Sequence, residues 1–291
     1  MVNLPDWLHA LYPFTPATVL TPGGARMSFV DTGEGDEAAL MLHGNPTWSF
    51  YYRRLVGELR GRFRCVVPDH VGMGLSDKPQ DYAYTLRRRI DDVEALVGSL
   101  GLKRFHLVVH DWGGAIGFGL AARHPEWIHR IVILNTAAFP LDRMPARIGL
   151  CRLPGPGTWL VRGLNGFAAP ATWMAMHRRA LSETEKRAYL WPYDSWANRV
   201  AIDGFVKDIP MSPDHRSWAA LKEAEAVIPK LHDRPTLICW GGRDFCFNDA
   251  FYRQWRERMP HAQTLYLADA GHYVLEDAPN DVIPRVVEFL R

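Results

Sequence analysis

Short apolar runs alternate along most of the chain with stretches in which apolar residues recur every three or four positions. The runs have the length and continuous apolar character of strands that are covered on both faces. The stretches between the runs have the periodicity of helices, most clearly over 85–100. An antiparallel hairpin is predicted over 18–30, before the first of these runs. The predicted strands after the hairpin are Ala38–Leu42, Phe63–Val67, His106–His110, Ile131–Leu134, Thr236–Trp240 and Thr264–Leu267.

Strands that alternate with helices predict an α/β fold with a mostly parallel central sheet flanked by helices. The pattern changes over 140–211, where short helical pieces rich in Gly, Pro, Trp and Met contain no strand-like run. We interpret 140–211 as an inserted helical cap, and 1–139 together with 212–291 as the α/β core. An aromatic cap above the sheet favours an apolar substrate pocket.

Composition and charge narrow the possible partners. Apolar residues make up 47% and charged residues 23% of the 291 residues, as in ordinary globular proteins. The net charge of +2 argues against nucleic acid or a membrane surface as partner, and the arginine clusters 87–89 and 178–179 are expected on solvated helix faces. No apolar run has the length of a membrane span, and the first residues do not resemble a signal peptide. Four cysteines without metal-ligand spacing predict a cytoplasmic protein with reduced thiols and no metal site, and an oligomer is possible.

The candidate chemistry centres on Val109-His110-Asp111-Trp112-Gly113-Gly114. A strand stops at Asp111 and a helix is expected to begin near Ala115, which is the nucleophile-elbow layout of the α/β-hydrolase fold. A carboxylate at the elbow attacks a saturated or strained carbon that carries a leaving group, and forms an ester that water can hydrolyse. The simpler interpretation is that Asp111 only caps the helix.

Two further residues at predicted strand ends favour the catalytic interpretation. Asp244 and His272 follow Asp111 in the order nucleophile, acid, base. Asp111 would form the ester, His272 would act as general base, and Asp244 would orient the imidazole. The backbone amides of Asn45 and Trp112 are expected to form the oxyanion hole, and their side-chain N–H groups are donors for a departing halide. This chemistry needs no cofactor.

Four segments resemble the haloalkane dehalogenase family of the α/β-hydrolase superfamily: His43-Gly44-Asn45-Pro46-Thr47-Trp48, 68–76, 109–114 and Asp269-Ala270-Gly271-His272. Asn135 stands where one group of the family has its acid, so Asp244 makes the chain similar to subfamily III. The resemblance implies hydrolysis of a carbon–halogen bond of a small apolar substrate through an ester on Asp111. It assigns halide binding to Asn45 and Trp112.

The same motifs leave other activities open. The chain is equally similar to the β-lactone decarboxylases of bacterial olefin biosynthesis, which resemble this branch and convert a cis-3-alkyl-4-alkyloxetan-2-one to an alkene and carbon dioxide. An epoxide hydrolase would require phenols from the cap, for which Tyr189 and Tyr193 are candidates. A ligand receptor on a hydrolase fold is the non-enzymatic alternative. An intact set of Asp111, Asp244 and His272 argues against that receptor, because an unused buried carboxylate pair costs stability.

Overall fold

An eight-stranded sheet lies at the centre of the protein. The computed structural model describes residues 4–33, 35, 37–140 and 144–291. The spatial order of the strands is β1-β2-β4-β3-β5-β6-β7-β8. The strands are β1 Ala17–Leu20, β2 Arg26–Asp31, β3 Glu37–Leu42, β4 Phe63–Pro68, β5 Phe105–Asp111, β6 Ile128–Thr136, β7 Thr236–Gly241 and β8 Gln263–Leu267.

The sheet confirms the predicted fold class. β1 and β2 form the expected hairpin, β2 continues antiparallel to β4, and every other neighbouring pair is parallel. All residues of β5 and β7 are buried, which explains the apolar runs 107–109 and 237–240 at their centres. The carboxyl ends of the parallel strands meet at one edge, where an α/β sheet presents its reactive loops.

Helices cover the sheet and also form the segment between β6 and β7. α4 packs against β3, β5 and β6, and α10 packs against α4. No helix among the described residues combines the length and apolar character that crossing a membrane requires. The helices are α1 Asp6–His9, α2 Arg53–Leu59, α3 Leu86–Ser99, α4 Trp112–Arg123, α5 Ala146–Arg152, α6 Pro156–Thr158, α7 Ala168–Met174, α8 Glu183–Leu190, α9 Val200–Lys207, α10 Trp218–Val227, α11 Asp249–Arg258, α12 Val274–Asp277 and α13 Pro279–Leu290.

Three local expectations were wrong. Arg178 and Arg179 lie between α7 and α8 and not on a helix face. α4 begins at Trp112 rather than near Ala115, because the turn is completed within the single residue Asp111. Arg89 is 2% exposed instead of lying on a solvated face. Its guanidinium lies 3.5 Å above the ring of Phe205 and 3.7 Å from the carboxylate of Asp208.

Short helices α5 to α9 occupy the place of the predicted cap, and no strand interrupts them within the described part of this segment. A buried ion network joins them to the core: Arg53 of α2 contacts Glu185 of α8 at 3.1 Å and also pairs with Glu276 of α12. Arg179 contacts both carboxylates at 3.0 Å. The boundaries at 140 and 211 stay a prediction.

Candidate active site

The turn after β5 places Asp111 in a conformation that few residues adopt. Its φ of 52° lies in the left-handed region, where a residue other than glycine is strained by roughly 1–3 kcal/mol. Two glycines make room for the turn. A Cβ atom at Gly113 would lie 1.9 Å from the carbonyl oxygen of Leu42, and one at Gly44 would lie 1.9 Å from Asp111 Oδ1. The turn therefore presses the Asp111 carboxylate closely against the loop after β3.

The two oxygens of the Asp111 carboxylate have different surroundings. Oδ1 accepts a hydrogen bond of 2.6 Å from the backbone N–H of Asn45, and the backbone N–H of Trp112 is a second donor to the carboxylate. Oδ2 lies 3.7 Å from His272 Nε2. Oδ1 is thus held by the backbone amide of Asn45, as an oxyanion would be, and Oδ2 faces the imidazole.

His272 is oriented by a carboxylate on its far side. Its Nδ1 lies 2.6 Å from Asp244 Oδ2. Asp244 Oδ2 also accepts a 3.0 Å hydrogen bond from Asn135 Nδ2, and Asp244 Oδ1 accepts from the backbone N–H groups of Cys246 and Phe247 at 2.7 and 3.0 Å. The imidazole therefore presents Nε2 to Asp111. The structure brings all three residues of the predicted triad together.

Burial and charge change the acidity of this pair. Burial raises the pKa of Asp111 above that of an ordinary aspartate, although His272 and the amides of Asn45 and Trp112 oppose the change. Burial acts in the opposite direction on His272, but Asp244 and then Asp111 outweigh it, so the pKa of His272 is raised above 6.5. Each group thus holds its proton to a higher pH than usual.

The side chains of Asn45 and Trp112 both reach the cavity next to Asp111. Asn45 is 6% exposed, and its Nδ2 donates to the carbonyl oxygen of Ile202 in α9 at 3.2 Å. The indole N–H of Trp112 has no acceptor among the residues that the structure describes. Trp112 therefore offers a free neutral donor. The side-chain amide of Asn45 already uses one of its two hydrogens in the hydrogen bond to Ile202.

Two cavities meet at Asp111. Both are bounded by Asn45, Asp111, Ile148, Phe167 and Cys246. We call them the first and the second lobe. The first lobe runs between the core and the cap and is lined by Ala115, Phe139, Val206, Leu221 and Phe251. The second lobe runs along α7 and is lined by Arg147, Pro170, Trp173, Met174 and Phe245.

The two cap tyrosines considered for epoxide chemistry do not line either lobe. The hydroxyl of Tyr189 donates to Glu276 at 2.7 Å, and that of Tyr193 donates to the carbonyl oxygen of Thr47 at 3.3 Å. Both hydroxyls belong to contacts between the cap and the core. This arrangement does not supply the phenols that an epoxide hydrolase would need.

Asn135 and Thr136 contribute to the site in ways that the sequence analysis missed. Asn135 also donates to the carbonyl oxygen of Gly241 at 3.0 Å, so it fixes both Asp244 and the end of β7. The Thr136 hydroxyl donates to the backbone carbonyl of Asp111. Both residues follow the apolar run of 131–134, and this position at a strand end was the available signal.

Comparison with known proteins agrees with this geometry. The family model of the α/β-hydrolase fold matches residues 39–155. Among curated proteins, the cis-3-alkyl-4-alkyloxetan-2-one decarboxylase of Shewanella oneidensis is 48% identical over 97% of this chain and 90% of its own length. The protein of the same name from Xanthomonas campestris is 44% identical over 96% of this chain and 97% of its own length.

Solved structures give the same fold. The haloalkane dehalogenase DbeA of Bradyrhizobium elkani has a TM-score of 0.84 at 28% identity, with 94% of this chain and 96% of that chain covered. Sequence similarity over nearly the whole length and the shared architecture thus agree. The chain belongs to the α/β-hydrolase family of enzymes, in the branch that contains the cis-3-alkyl-4-alkyloxetan-2-one decarboxylases and the haloalkane dehalogenases.

Proposed function

We propose that this enzyme decarboxylates cis-3,4-dialkyl-oxetan-2-ones, with Asp111 as nucleophile and His272 and Asp244 as its supporting pair. The observation that carries the proposal is the pair of apolar lobes that meet at Asp111. A four-membered lactone carries one alkyl chain on each of two adjacent carbons, and each chain needs one apolar lobe. The names of the two similar decarboxylases support the same substrate class.

The first step opens the strained ring. Asp111 Oδ2 attacks C4, the ring carbon that carries both an alkyl chain and the ring oxygen. The new C4–O bond forms on the side opposite to the ring oxygen, the C4–O1 bond breaks, and its electron pair remains on a carboxylate. The side-chain N–H groups of Trp112 and Asn45 are available to this new carboxylate. Oδ1 of Asp111 meanwhile keeps its hydrogen bond from the backbone N–H of Asn45.

The second step returns Asp111 to its starting state. The bond between C3 and the carboxylate carbon breaks and releases carbon dioxide. Its electron pair forms the C3=C4 double bond, and the C4–O bond to Asp111 breaks with its pair returning to the carboxylate. Inversion at C4 followed by anti elimination converts a cis-lactone to a cis-alkene.

Neither step consumes water or changes a redox state. His272 therefore does not act as a general base here. Its imidazole faces Oδ2 at 3.7 Å and is held by Asp244, so it stabilises Asp111 as the free carboxylate between turnovers. This assignment distinguishes the proposed reaction from a hydrolysis at the same site.

We propose a cytoplasmic location as well. Cys65, Cys151, Cys239 and Cys246 are all free thiols, which supports a reducing compartment.

The test is turnover of a cis-3,4-dialkyl-oxetan-2-one in water enriched in ¹⁸O. We expect a cis-alkene and carbon dioxide, measured by gas chromatography and mass spectrometry. After many turnovers the peptide that contains Asp111 should retain its normal mass, because no water attacks its carboxylate. The Asp111→Ala variant serves as the inactive control.

Two results would contradict the proposal. A 3-hydroxy acid as the product would show that the lactone is hydrolysed. Incorporation of ¹⁸O into Asp111 during lactone turnover would show that water cleaves an ester at this residue.

Haloalkane dehalogenation is the second candidate, and the free indole N–H of Trp112 beside Asp111 favours it. A halide leaving group needs only such neutral donors, and His272 would then activate water against the Asp111 ester. The test is halide release from 1-bromobutane in the same labelled water. Halide release with ¹⁸O in Asp111 would support this activity, and its absence under conditions of rapid lactone turnover would exclude it.

A further inference from the structure

We propose that the outer surface of the cap binds an anionic lipid bilayer. This surface, which we call the outer cap surface, is formed by Leu150, Leu153, Trp159, Leu164 and Trp173 with Arg147, Arg152 and Arg162. The proposal concerns the route by which an apolar lactone reaches Asp111, and in that respect it rests on the proposed function. Binding to vesicles can nevertheless be measured without turnover.

Large exposed apolar side chains are concentrated on this part of the cap. Among the described residues, six of the eight exposed large hydrophobic side chains lie within 150–196. Leu164 is 77%, Trp159 67% and Trp173 64% exposed. Single exposed apolar residues are ordinary on protein surfaces, but a cluster of this kind indicates a surface that contacts another apolar phase.

Contacts between neighbouring segments hold these side chains near one another. The backbone N–H of Gly157 donates to the carbonyl oxygen of Leu153 at 2.9 Å, which packs the turn before Trp159 on the end of α5. The rings of Trp159 and Trp196 lie 5.0 Å apart. Arg147 of α5 contacts the sulfur of Met174 in α7 at 3.6 Å. The exposed residues thus belong to one packed group of short helices.

The charge of this segment is unbalanced. Residues 144–182 contain five arginines and no aspartate or glutamate. Arg178 and Arg179 are neutralised by carboxylates, Asp269 at 2.7 Å and Glu185 at 3.0 Å respectively. The other three form no salt bridge with any described residue, and each hydrogen-bonds a neutral group instead, as Arg152 does with the carbonyl oxygen of Ile209. The net charge of +2 for the whole chain hides this local positive surface.

Exposed tryptophan and leucine, beside arginines that form no salt bridge with a described residue, match the chemistry of an anionic membrane surface. Tryptophan rings lie at the boundary between headgroups and acyl chains, and arginines bind lipid phosphates. A second copy of this chain is a poorer occupant, because a two-fold contact through this surface would place arginines opposite arginines. The arrangement therefore favours an anionic bilayer.

The second lobe reaches this surface. Arg147 and Trp173 are exposed and also line the second lobe, which leads to Asp111. An apolar lactone dissolved in the bilayer would enter the lobe between these two side chains. An apolar alkene would return by the same route.

The experiment is flotation of the full chain with vesicles of phosphatidylcholine alone or mixed with phosphatidylglycerol. We expect binding only to the anionic vesicles, with weaker binding at higher ionic strength. The R152Q/R162Q variant should bind about 25-fold more weakly, because each arginine near an anionic surface contributes roughly fivefold. The L153S/W159S/L164S variant should lose binding, whereas both variants should retain turnover of a short, water-soluble lactone, since none of the changed residues lines a lobe.

Matched controls come from exposed residues outside the cap. The L20S and R60Q/R253Q variants should bind like the unchanged protein. Equal binding to both vesicle types, no binding to either, or unchanged binding by the two cap variants would overturn the proposal. The proposal would also be overturned if the unchanged protein were a dimer and the L153S/W159S/L164S substitutions dissociated it without changing vesicle binding. A protein that binds anionic vesicles but forms no alkene from the lactone would contradict the proposed function and leave the surface assignment intact.

Discussion

A substitution of the single residue His272 should affect the two candidate reactions differently. In the His272→Phe variant, dehalogenation should stop after the first step, because no base remains to activate water at the Asp111 ester. Loss of a general base typically lowers a rate by about 10²–10⁴-fold. Lactone decarboxylation should continue within about 10-fold of the normal rate, because elimination needs no general base. Mass spectrometry would then find a butyl adduct on Asp111 after 1-bromobutane, while gas chromatography would still find alkene from the lactone.

The two reactions should also respond differently to pH, because only dehalogenation needs neutral His272. The pKa of His272 is raised, so the neutral imidazole that hydrolysis requires is lost as pH falls through a value above 6.5. Decarboxylation requires only that Asp111 is ionised, and it tolerates a protonated His272. Its rate should therefore persist into that acidic range and fall when Asp111 is protonated, at a pH above that of an ordinary aspartate because burial raises the pKa of Asp111.

The measurement is kcat for the lactone and for 1-bromobutane from pH 4 to 9, because kcat includes hydrolysis of the Asp111 ester. We expect the acidic limb of the lactone profile at the lower pH. Coincident limbs would mean that both reactions depend on neutral His272, and the role proposed for this residue would then be wrong.

At the scale of elements, the close approach of the β3 and β5 ends controls the reactive turn. The Gly44→Ala variant should lose activity by more than about 10²-fold, because its Cβ would occupy the position of Asp111 Oδ1 and displace the carboxylate from its backbone donors. Circular dichroism should still show a folded α/β protein. Steady-state kinetics on the lactone would measure the loss.

Gly57 is the matched control for this substitution. It lies within α2, and a Cβ atom there meets no atom within 4 Å. Gly57→Ala should keep full activity and stabilise the protein by about 0.5–1 kcal/mol, because alanine favours the helix. Equal activity losses in the two variants would indicate a general sensitivity of the fold to the exchange, not an effect at the turn.

Elements also show how far the sequence could predict the structure. Buried strands such as β5 and β7 have apolar centres, so their positions and the strand-end residues Asp111, Asp244 and His272 were predictable. The start of α4 was not, because it depends on a left-handed turn at Asp111 that no local propensity favours. The position of Asn135 near Asp244 depends on the pairing of β6 with β7, which is a long-range contact.

Arg89 illustrates a second limit of prediction. Three consecutive arginines on a helix point in directions about 100° apart, so one of the three in 87–89 points from α3 into the interior of the protein. Composition alone predicts a solvated cluster, whereas Phe205 and Asp208 of the cap segment supply the contacts that bury Arg89. Burial lowers the pKa of its guanidinium to about 10, which still leaves it positively charged at neutral pH.

At the scale of the whole molecule, the buried ion network decides how firmly the cap is attached. Arg53, Glu185 and Glu276 are each no more than 6% exposed, and Arg53 links α2 in the core to α8 in the cap. The pKa of Glu185 is lowered to about 2 because Arg179, the backbone of Ser182 and Arg53 outweigh its burial. Charges buried to this degree are stable only while they remain paired.

Arg53→Met should therefore destabilise the protein by about 1–3 kcal/mol, because Glu276 and Glu185 would each lose one buried partner and keep Arg179. Urea unfolding, followed by tryptophan fluorescence, measures this change. Arg26→Met is the control: Arg26 pairs with Asp77 on the surface, where its side chain is 69% exposed, so the loss should stay below about 1 kcal/mol. Equal losses in the two variants would mean that the interior pair contributes no more than a surface pair. The cap would then be held mainly by its apolar contacts and by hydrogen bonds such as that from Asn45 to Ile202.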